Sequence, residues 1–303
     1  MSDGDQGKRF GFAALAGRPN VGKSTLLNRL VGRKVAIVSP VPQTTRHRIL
    51  GVRTLPTGQV AFVDAPGFHR PRRQLGELML EQARSAAGDA DVVLWVVDAA
   101  AGVGAGDRRV LDEVRKVAPE RPVVLVLNKL DRMNKGRLLP LIEQGVREWG
   151  CREAVPVSAL TGENVDRLLE TVVSLLPPGE PMYPPDFVTD QRERTIVAEL
   201  VREKLFERLR QEVPHAVAVA VEHLGEREDG LLEAHAVIYV ERPSQKAIVI
   251  GHRGRMLKEV GTEARKELEA MTGRRVFLKL WVKVREAWRD RIGVLREIGV
   301  YPG

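Results

Sequence analysis

Apolar positions follow two different rhythms along this chain, and the change between them divides it. Up to residue 176, short and nearly continuous apolar runs at 10–16, 60–64, 91–98 (DVVLWVVD), 122–127 (PVVLVL) and 154–157 alternate with helical segments. Such runs mark strands buried on both faces, as in a parallel sheet with helices on either side. A strand at 49–54 is joined to the one at 60–64 through the turn residues Pro56, Thr57 and Gly58. Residues 25–31 read as a helix, whereas 33–48 (RKVAIVSPVPQTTRHR) lack helical periodicity and read as a long functional loop. The stretch 176–187 (LPPGEPMYPPDF) holds five prolines within 177–185. It can neither continue a helix nor pair as a central strand, and it favours an extended, semi-rigid connection.

Beyond it, Ile196, Val197, Leu200, Val201, Leu205 and Leu209 line one face of a helix at 192–211. Strands at 216–222 and 232–241 flank a turn at 225–230, and a short helical segment ends at 250. A second helix carries Leu257, Val260, Ala264, Leu268 and Met271 on one face, and an alternating strand closes the pattern at 275–284. The expected architecture is an α/β domain with a mostly parallel sheet over 1–178, a proline-rich linker over 179–190, and a smaller α+β domain over 191–303.

At 303 residues and 43% hydrophobic, the chain is too apolar to be disordered and long enough for two ordinary cores. The single cysteine, Cys151, excludes a disulfide framework or thiolate cluster and points to a reducing, cytoplasmic setting. His47, His69, His215, His223, His235 and His252 show no metal-ligand spacing, no run approaches a membrane span, and the polar first ten residues lack a signal-peptide core. Charge changes the picture more. Between Arg242 and Arg285, twelve Lys or Arg face four Glu, a local excess of eight that equals the +8 of the whole chain. A basic excess held in one segment is the footprint of a polyanion binder.

The chemistry concentrates at the ends of the predicted strands. GRPNVGKS, residues 17–24, lies where a strand turns into a helix. Its glycines, Gly17 and Gly22, let successive backbone N–H groups face phosphate oxygens at a helix N-terminus. Lys23 reaches the β and γ phosphates and the Ser24 hydroxyl meets magnesium. DAPG at 64–67 places Asp64 for magnesium, mainly through water, and the Gly67 N–H for the γ phosphate. NKLD at 128–131 offers the Asp131 carboxylate to the N1–H and 2-amino group of guanine, which adenine cannot satisfy. Asn128 ties neighbouring loops, the Lys129 stem covers the ring, and in SAL at 158–160 the Ala159 N–H faces the guanine O6.

These four motifs, in this order, resemble the translation-factor-like branch of the P-loop GTPases over residues 8–176. The nucleotide site implied comprises Gly17, Arg18, Pro19, Asn20, Val21, Gly22, Lys23, Ser24, Thr25, Asp64, Ala65, Pro66, Gly67, Asn128, Lys129, Asp131, Ser158, Ala159 and Leu160. Ser24, Asp64 and a loop threonine would hold Mg2+; Thr45 is preferred to Thr44. A P-loop kinase would leave NKLD and SAL unexplained. Phe68 stands where Ras-like enzymes carry a water-orienting Gln, and an apolar ring cannot orient water. Relatives with Asn at the position of Asn20 use K+ beside the phosphates, so slow hydrolysis by Lys23, Asn20, Thr45 and Gly67 is expected.

In the second domain, Gly251, His252, Arg253 and Gly254 form a GxxG loop opening a basic helix. Two glycines remove side chains where a sugar-phosphate backbone lies close. The order helix, strand, strand, helix, helix, strand resembles a type II KH domain, with Lys246, Gly251, His252, Arg253, Gly254, Lys258 and Arg265 as the RNA contacts. A GTPase domain followed by one KH domain resembles the Era family. The resemblance implies GTP hydrolysis, binding of the 16S rRNA 3′ end, maturation of the small ribosomal subunit and a peripheral contact with the inner membrane; the chain is expected to be a monomer. Trp281, Val282 and Trp288 lie in the basic context that anionic lipid would meet, although Trp in a last strand more often belongs to the core. The competing reading is a signalling GTPase whose second domain binds protein.

Overall fold

The computed structural model describes residues 7–68, 71, 73–134, 136 and 138–301. The first six residues and His69, both considered above, lie outside these. The chain forms two compact units: Met1–Val38, Pro42–Arg70 and Met79–Asp190 in the first, and Ser39–Val41, Pro71–Leu78 and Gln191–Gly303 in the second. In order, the elements are β1 (Arg9–Ala16), α1 (Lys23–Val31), β2 (Ile49–Leu55), β3 (Gly58–Asp64), α2 (Gln74–Gly88), β4 (Val92–Asp98), α3 (Ala105–Val117), β5 (Val123–Asn128), α4 (Leu138–Arg147), β6 (Glu153–Pro156), α5 (Val165–Leu175), α6 (Glu193–Arg208), α7 (Val213–Ala216), β7 (Ala218–Glu226), β8 (Leu232–Val240), α8 (Pro243–Ile250), α9 (Arg255–Thr272), β9 (Val276–Val284) and α10 (Ile292–Glu297).

The first unit is built on a six-stranded sheet in the order β2-β3-β1-β4-β5-β6, parallel except for the antiparallel β2–β3 hairpin. The continuous apolar runs become strands with two buried faces. In β4, Val92, Leu94 and Val96 join the core beneath α1 and α5, while Val93, Trp95 and Val97 join the core with Ala83 of α2 and Val110 and Val114 of α3. Each such side chain contributes about 1.5–3 kcal/mol on burial. Register then delivers the motifs to one edge: Leu15 lies opposite Asp64 and Asp98 opposite Asn128, so β1 ends beside β3 and β4 beside β5, with β4 running three residues past Ala16. In open α/β sheets that carboxyl edge is where ligands bind.

The proline-rich stretch does not stand off as a spacer. It runs against the first unit: Phe10 N donates to Pro177 O, Gly179 N to Lys8 O, Val52 N to Val188 O, and Tyr183 stacks on Phe187 at 4.8 Å. The anchor is Gln59, fully buried, whose Oε1 accepts from Met182 N and Tyr183 N at 3.1 and 2.9 Å while Nε2 donates to Tyr183 O at 2.9 Å. A side-chain amide on β3 thus substitutes for a strand partner that proline cannot provide.

The second unit carries a three-stranded sheet, β7-β8-β9, antiparallel then parallel, with a bulge between Val221 and His223. Val201 and Leu205 of α6 and Val260 and Ala264 of α9 pack with Ala236 and Ile238 of β8. Several expectations change. β7 runs to Glu226, α6 stops at Arg208, and 213–216 is a separate helical turn. Met271, expected on the packed face of α9, is 42% exposed because it falls in the last turn, past the stripe that ends at Leu268. Of the two readings of Trp288, the core one holds: it is fully buried and its Nε1 donates to Ala216 O at 2.8 Å. Val282 is buried likewise, and Trp281 is only partly exposed. Cys151 is buried, and that burial pushes its thiol up to about 11, well away from reactive thiolate. Among the described residues no helix is long and apolar enough to cross a membrane.

Gln59→Ala removes four hydrogen bonds at a buried position, the fourth being the one its Nε2 donates to Thr54 Oγ1. We expect a loss of about 1–3 kcal/mol and faster proteolysis within 179–190; unchanged cleavage would show that the segment is held elsewhere.

Candidate functional site

β1 ends at Ala16, and the chain curls through residues 17–22 before α1 begins at Lys23. Asn20 and Gly22 occupy left-handed conformations, φ 66° and 96°. The buried Lys23 bends back over this curl, its Nζ donating to Gly17 O and Arg18 O, each at 3.3 Å. Burial lowers its ammonium below the ordinary lysine range, with Asp64 pulling the other way. The DAPG turn lies directly against the curl: a methyl on Gly67 would sit 2.9 Å from Pro19 N and 3.1 Å from Lys23 Nζ, and Phe68 N donates to Gly17 O at 3.3 Å. No side chain larger than hydrogen fits at Gly67 without moving one loop off the other.

Asp64 is fully buried at the end of β3. Its Oδ2 accepts from Ser24 Oγ at 2.7 Å and Thr45 Oγ1 at 3.2 Å, and those two hydroxyls lie 2.9 Å apart. Its Oδ1 is buried with no hydrogen-bond partner among the described residues. Burial raises the carboxyl above the usual range, offset first by Lys23 and then by the two hydroxyls. Oxygen-only donors converging on a carboxylate with an unused oxygen suit a hard cation such as Mg2+. Thr45 is the loop threonine brought to Ser24 and Asp64. Phe68, 8% exposed, is packed into the core and presents no polar group for water.

On the other side of the curl, Asn128 Nδ2 donates to Val21 O at 2.8 Å and its Oδ1 accepts from Ala159 N at 3.0 Å. The amide that the sequence assigns to guanine O6 is thus oriented by Asn128. Lys129, left-handed at φ 65°, donates to Asn20 O at 2.8 Å and Asp98 Oδ2 at 2.6 Å. Asp131 Oδ1 accepts from Ser158 Oγ at 2.5 Å. Val21, Ala65 and Pro66 are buried, Thr25 is half-buried in the first turn of α1, and Leu160 is 68% exposed.

Three further residues hold this ring of loops. Arg29 of α1 donates to Ala159 O and Leu160 O at 3.1 and 2.6 Å. Asn28 accepts from Val35 N and Ala36 N and donates to Ala36 O, pinning the start of the long loop. Asp98 pairs with Lys129. Asp98 was within reach of sequence reasoning as a carboxylate closing an apolar run, whereas nothing local distinguishes Arg29 or Asn28 from an ordinary helix surface. Arg18 turns outward to Asp107 of α3 at 3.2 Å.

In the second unit, Gly251 takes φ 72°, and a methyl there would meet Met256 Cβ at 2.8 Å. Arg253 and Gly254 are also left-handed, φ 51° and 79°, and Gly254 caps the start of α9. His252 and Arg253 are exposed at this turn, and the first turn of α9 contains no acidic residue. A bare helix N-terminus beside two glycines and two basic side chains attracts phosphate. Lys246 lies on α8; Lys258 and Arg265 lie seven residues apart on one face of α9, with Arg265 paired to Glu269 at 3.0 Å.

Fold and site together define a P-loop GTPase followed by a KH domain. A family described as 50S ribosome-binding GTPase matches residues 12–129, and the KH domain family matches 212–289. GTPase Era of Heliobacterium modesticaldum is 47% identical over 96% of this chain and 97% of its own length, and that of Caldanaerobacter subterraneus subsp. tengcongensis is 47% identical with the same coverage. An Aquifex aeolicus Era variant bound to GDP·AlF4− superposes with a TM-score of 0.93 at 40% identity, covering 97% of this chain and 100% of that one. An Era in complex with MgGDPNP and nucleotides 1506–1542 of 16S ribosomal RNA matches equally, at a TM-score of 0.93, 40% identity and the same coverage. The chain belongs to the Era family of GTPases.

Asn128→Ala cuts both ties between the phosphate curl and the 158–160 loop. We expect GDP affinity to fall at least about tenfold, as loss of one to two hydrogen bonds allows, in a titration with a fluorescent GDP analogue. An unchanged affinity would show that the loops hold without it.

Proposed function

We propose that this GTPase binds the 3′ end of 16S ribosomal RNA through its glycine loop and acts in assembly of the small ribosomal subunit, with GTP and GDP setting RNA affinity. The observation that carries the reading is the Gly251–Gly254 turn. Its two small residues, the exposed His252 and Arg253 and the bare start of α9 form a seat for a sugar-phosphate backbone, inside the segment that holds the chain's whole basic excess. The RNA bound by the similar Era supports the choice of partner.

In the first unit, Lys23 and the amides of residues 17–24 hold the phosphates, and Asp131, fixed by Ser158, reads guanine. Ser24, Thr45 and Asp64 hold Mg2+, which neutralises charge on the phosphates when bound. Gly67 N–H marks the γ phosphate. Since Phe68 is buried and apolar, water must be oriented by backbone groups of the 33–48 and 64–68 loops, and hydrolysis is slow. Asn20, held left-handed beside the carbonyl that Lys129 grips, is the residue at which K+ would add positive charge. Loss of the γ phosphate frees Gly67 and Thr45, which changes the loops and, through them, the second unit's hold on RNA. The work belongs in the cytoplasm, and Trp288, being buried, lends nothing to a membrane contact.

Two measurements test the proposal. RNA affinity with a non-hydrolysable GTP analogue and with GDP should differ by at least about fivefold, the lower end of ordinary coupling energies, and identical affinities would mean the units act independently. Replacing His252 and Arg253 by Glu should abolish RNA binding and flatten its salt dependence; retention of both would favour a protein-binding second domain.

A further inference from the structure

The sheet of the second unit has a second face that the glycine loop does not use. Leu232, Ala234, Ala236 and Ile238 of β8 point into the core with α6 and α9, so Glu233 and His235, between them, lie on the opposite face. Register sets Phe277, Lys279 and Trp281 of β9 beside Glu233, His235 and Val237, and His223 of β7 beside His235. Four rings therefore adjoin across three strands. His235 is 5.2 Å from His223, 6.3 Å from Phe277 and 6.2 Å from Trp281, centroid to centroid, at tilts of 53°, 68° and 74°.

Cations frame the rings. Arg227 lies 5.2 Å from the centre of Phe277 and Lys283 5.5 Å from that of Trp281. Lys279 projects between Phe277 and Trp281, exposed and with no ion pair among the described residues. The acids of this face, Glu233 and Glu222, are already matched by Arg227 and Lys283 at 2.5 and 2.7 Å. Such surface pairs are weak and exchange readily for phosphate. Phe277 is 41% exposed, in the middle of a cationic rim where a ring built only for packing would be covered.

Resting on the RNA reading above, we infer that this ring-bearing face is a second RNA surface, on which unpaired bases flanking the glycine-loop segment stack while Lys279, Arg227 and Lys283 meet their phosphates. Aromatic platforms framed by cations bind single strands in this way with little regard for sequence. Charge decides against a lipid surface, which would be met by cations at the edge of an apolar patch; here they alternate with the rings along β9. Length supports RNA too. A glycine loop clamps about four nucleotides, and the similar Era holds the far longer stretch 1506–1542.

The test uses the full chain and two fluorescent RNAs from the 3′ end of 16S rRNA, one of six nucleotides and one of twenty. Phe277→Ala should weaken the longer RNA about tenfold, as loss of one stacked base does, and leave the shorter unchanged. Lys279→Glu, at an exposed position without a packing role, should do the same and guards against misfolding of the first variant. Equal binding of the longer RNA by both variants and the parent overturns the inference while the glycine-loop reading stands. Failure of the parent to bind either RNA overturns that reading instead. Binding of anionic vesicles that depends on Phe277, with RNA binding unaffected, also overturns the inference and makes the face a lipid surface.

Discussion

A fully buried carboxylate organises the first unit. Asp64 is fully buried at the end of a strand whose every residue is buried, and an ion so placed costs several kcal/mol unless surrounded by partners. Two hydroxyls and the buried Lys23 ammonium are those partners, and they come from two other stretches of chain: Lys23 and Ser24 from the helix that follows the phosphate curl, Thr45 from the long loop. Satisfying one charge therefore sets the positions of three segments. One carboxylate oxygen, Oδ1, is left without a hydrogen-bond partner among the described residues, and it is there that the proposed Mg2+ would add to the cluster.

The rest of the sheet transmits that placement. Because β1, β3, β4 and β5 end at the same edge of the sheet, the loops they deliver lie close enough for single side chains to bridge them: Asn128 joins the 21 and 159 backbones, Lys129 joins 20 to 98, and Arg29 closes the circle from α1. These bridges use backbone carbonyls and amides that would otherwise be orphaned at strand ends. The edge proposed to read guanine is braced in the same way, Asp131 being held by Ser158.

How much of this was legible in the sequence follows from the range of each interaction. The 91–98 and 122–127 runs announced strands buried on two faces because both faces must be apolar, and GRPNVGKS, DAPG, NKLD and the GxxG loop are local devices whose glycines and charges sit next to one another in the chain. Arg29, Asn28 and Gln59 were invisible because their partners are carbonyls and amides, which carry no residue signature, and in two of the three cases lie more than a hundred residues away. Trp288 stayed open between core and lipid contact in a basic segment because the carbonyl its indole nitrogen meets, that of Ala216, lies far upstream. The Ala159 amide, which its motif assigns to the base, also donates to Asn128, a partner thirty-one residues upstream that the motif does not announce. Periodicity likewise overshot at Met271, since an apolar residue in the last turn of a helix has no sheet left to meet.

The central claim is that Asp64 binds the three segments together through Mg2+ and its hydroxyl partners. Magnesium titration of GTP binding by the parent chain and by Asp64→Ala tests it directly. The parent should bind a non-hydrolysable GTP analogue at least about tenfold more tightly at saturating magnesium than without it, and the variant should lose that gain, a difference on the order of 1.4 kcal/mol or more. A variant that keeps the full magnesium dependence would contradict the account.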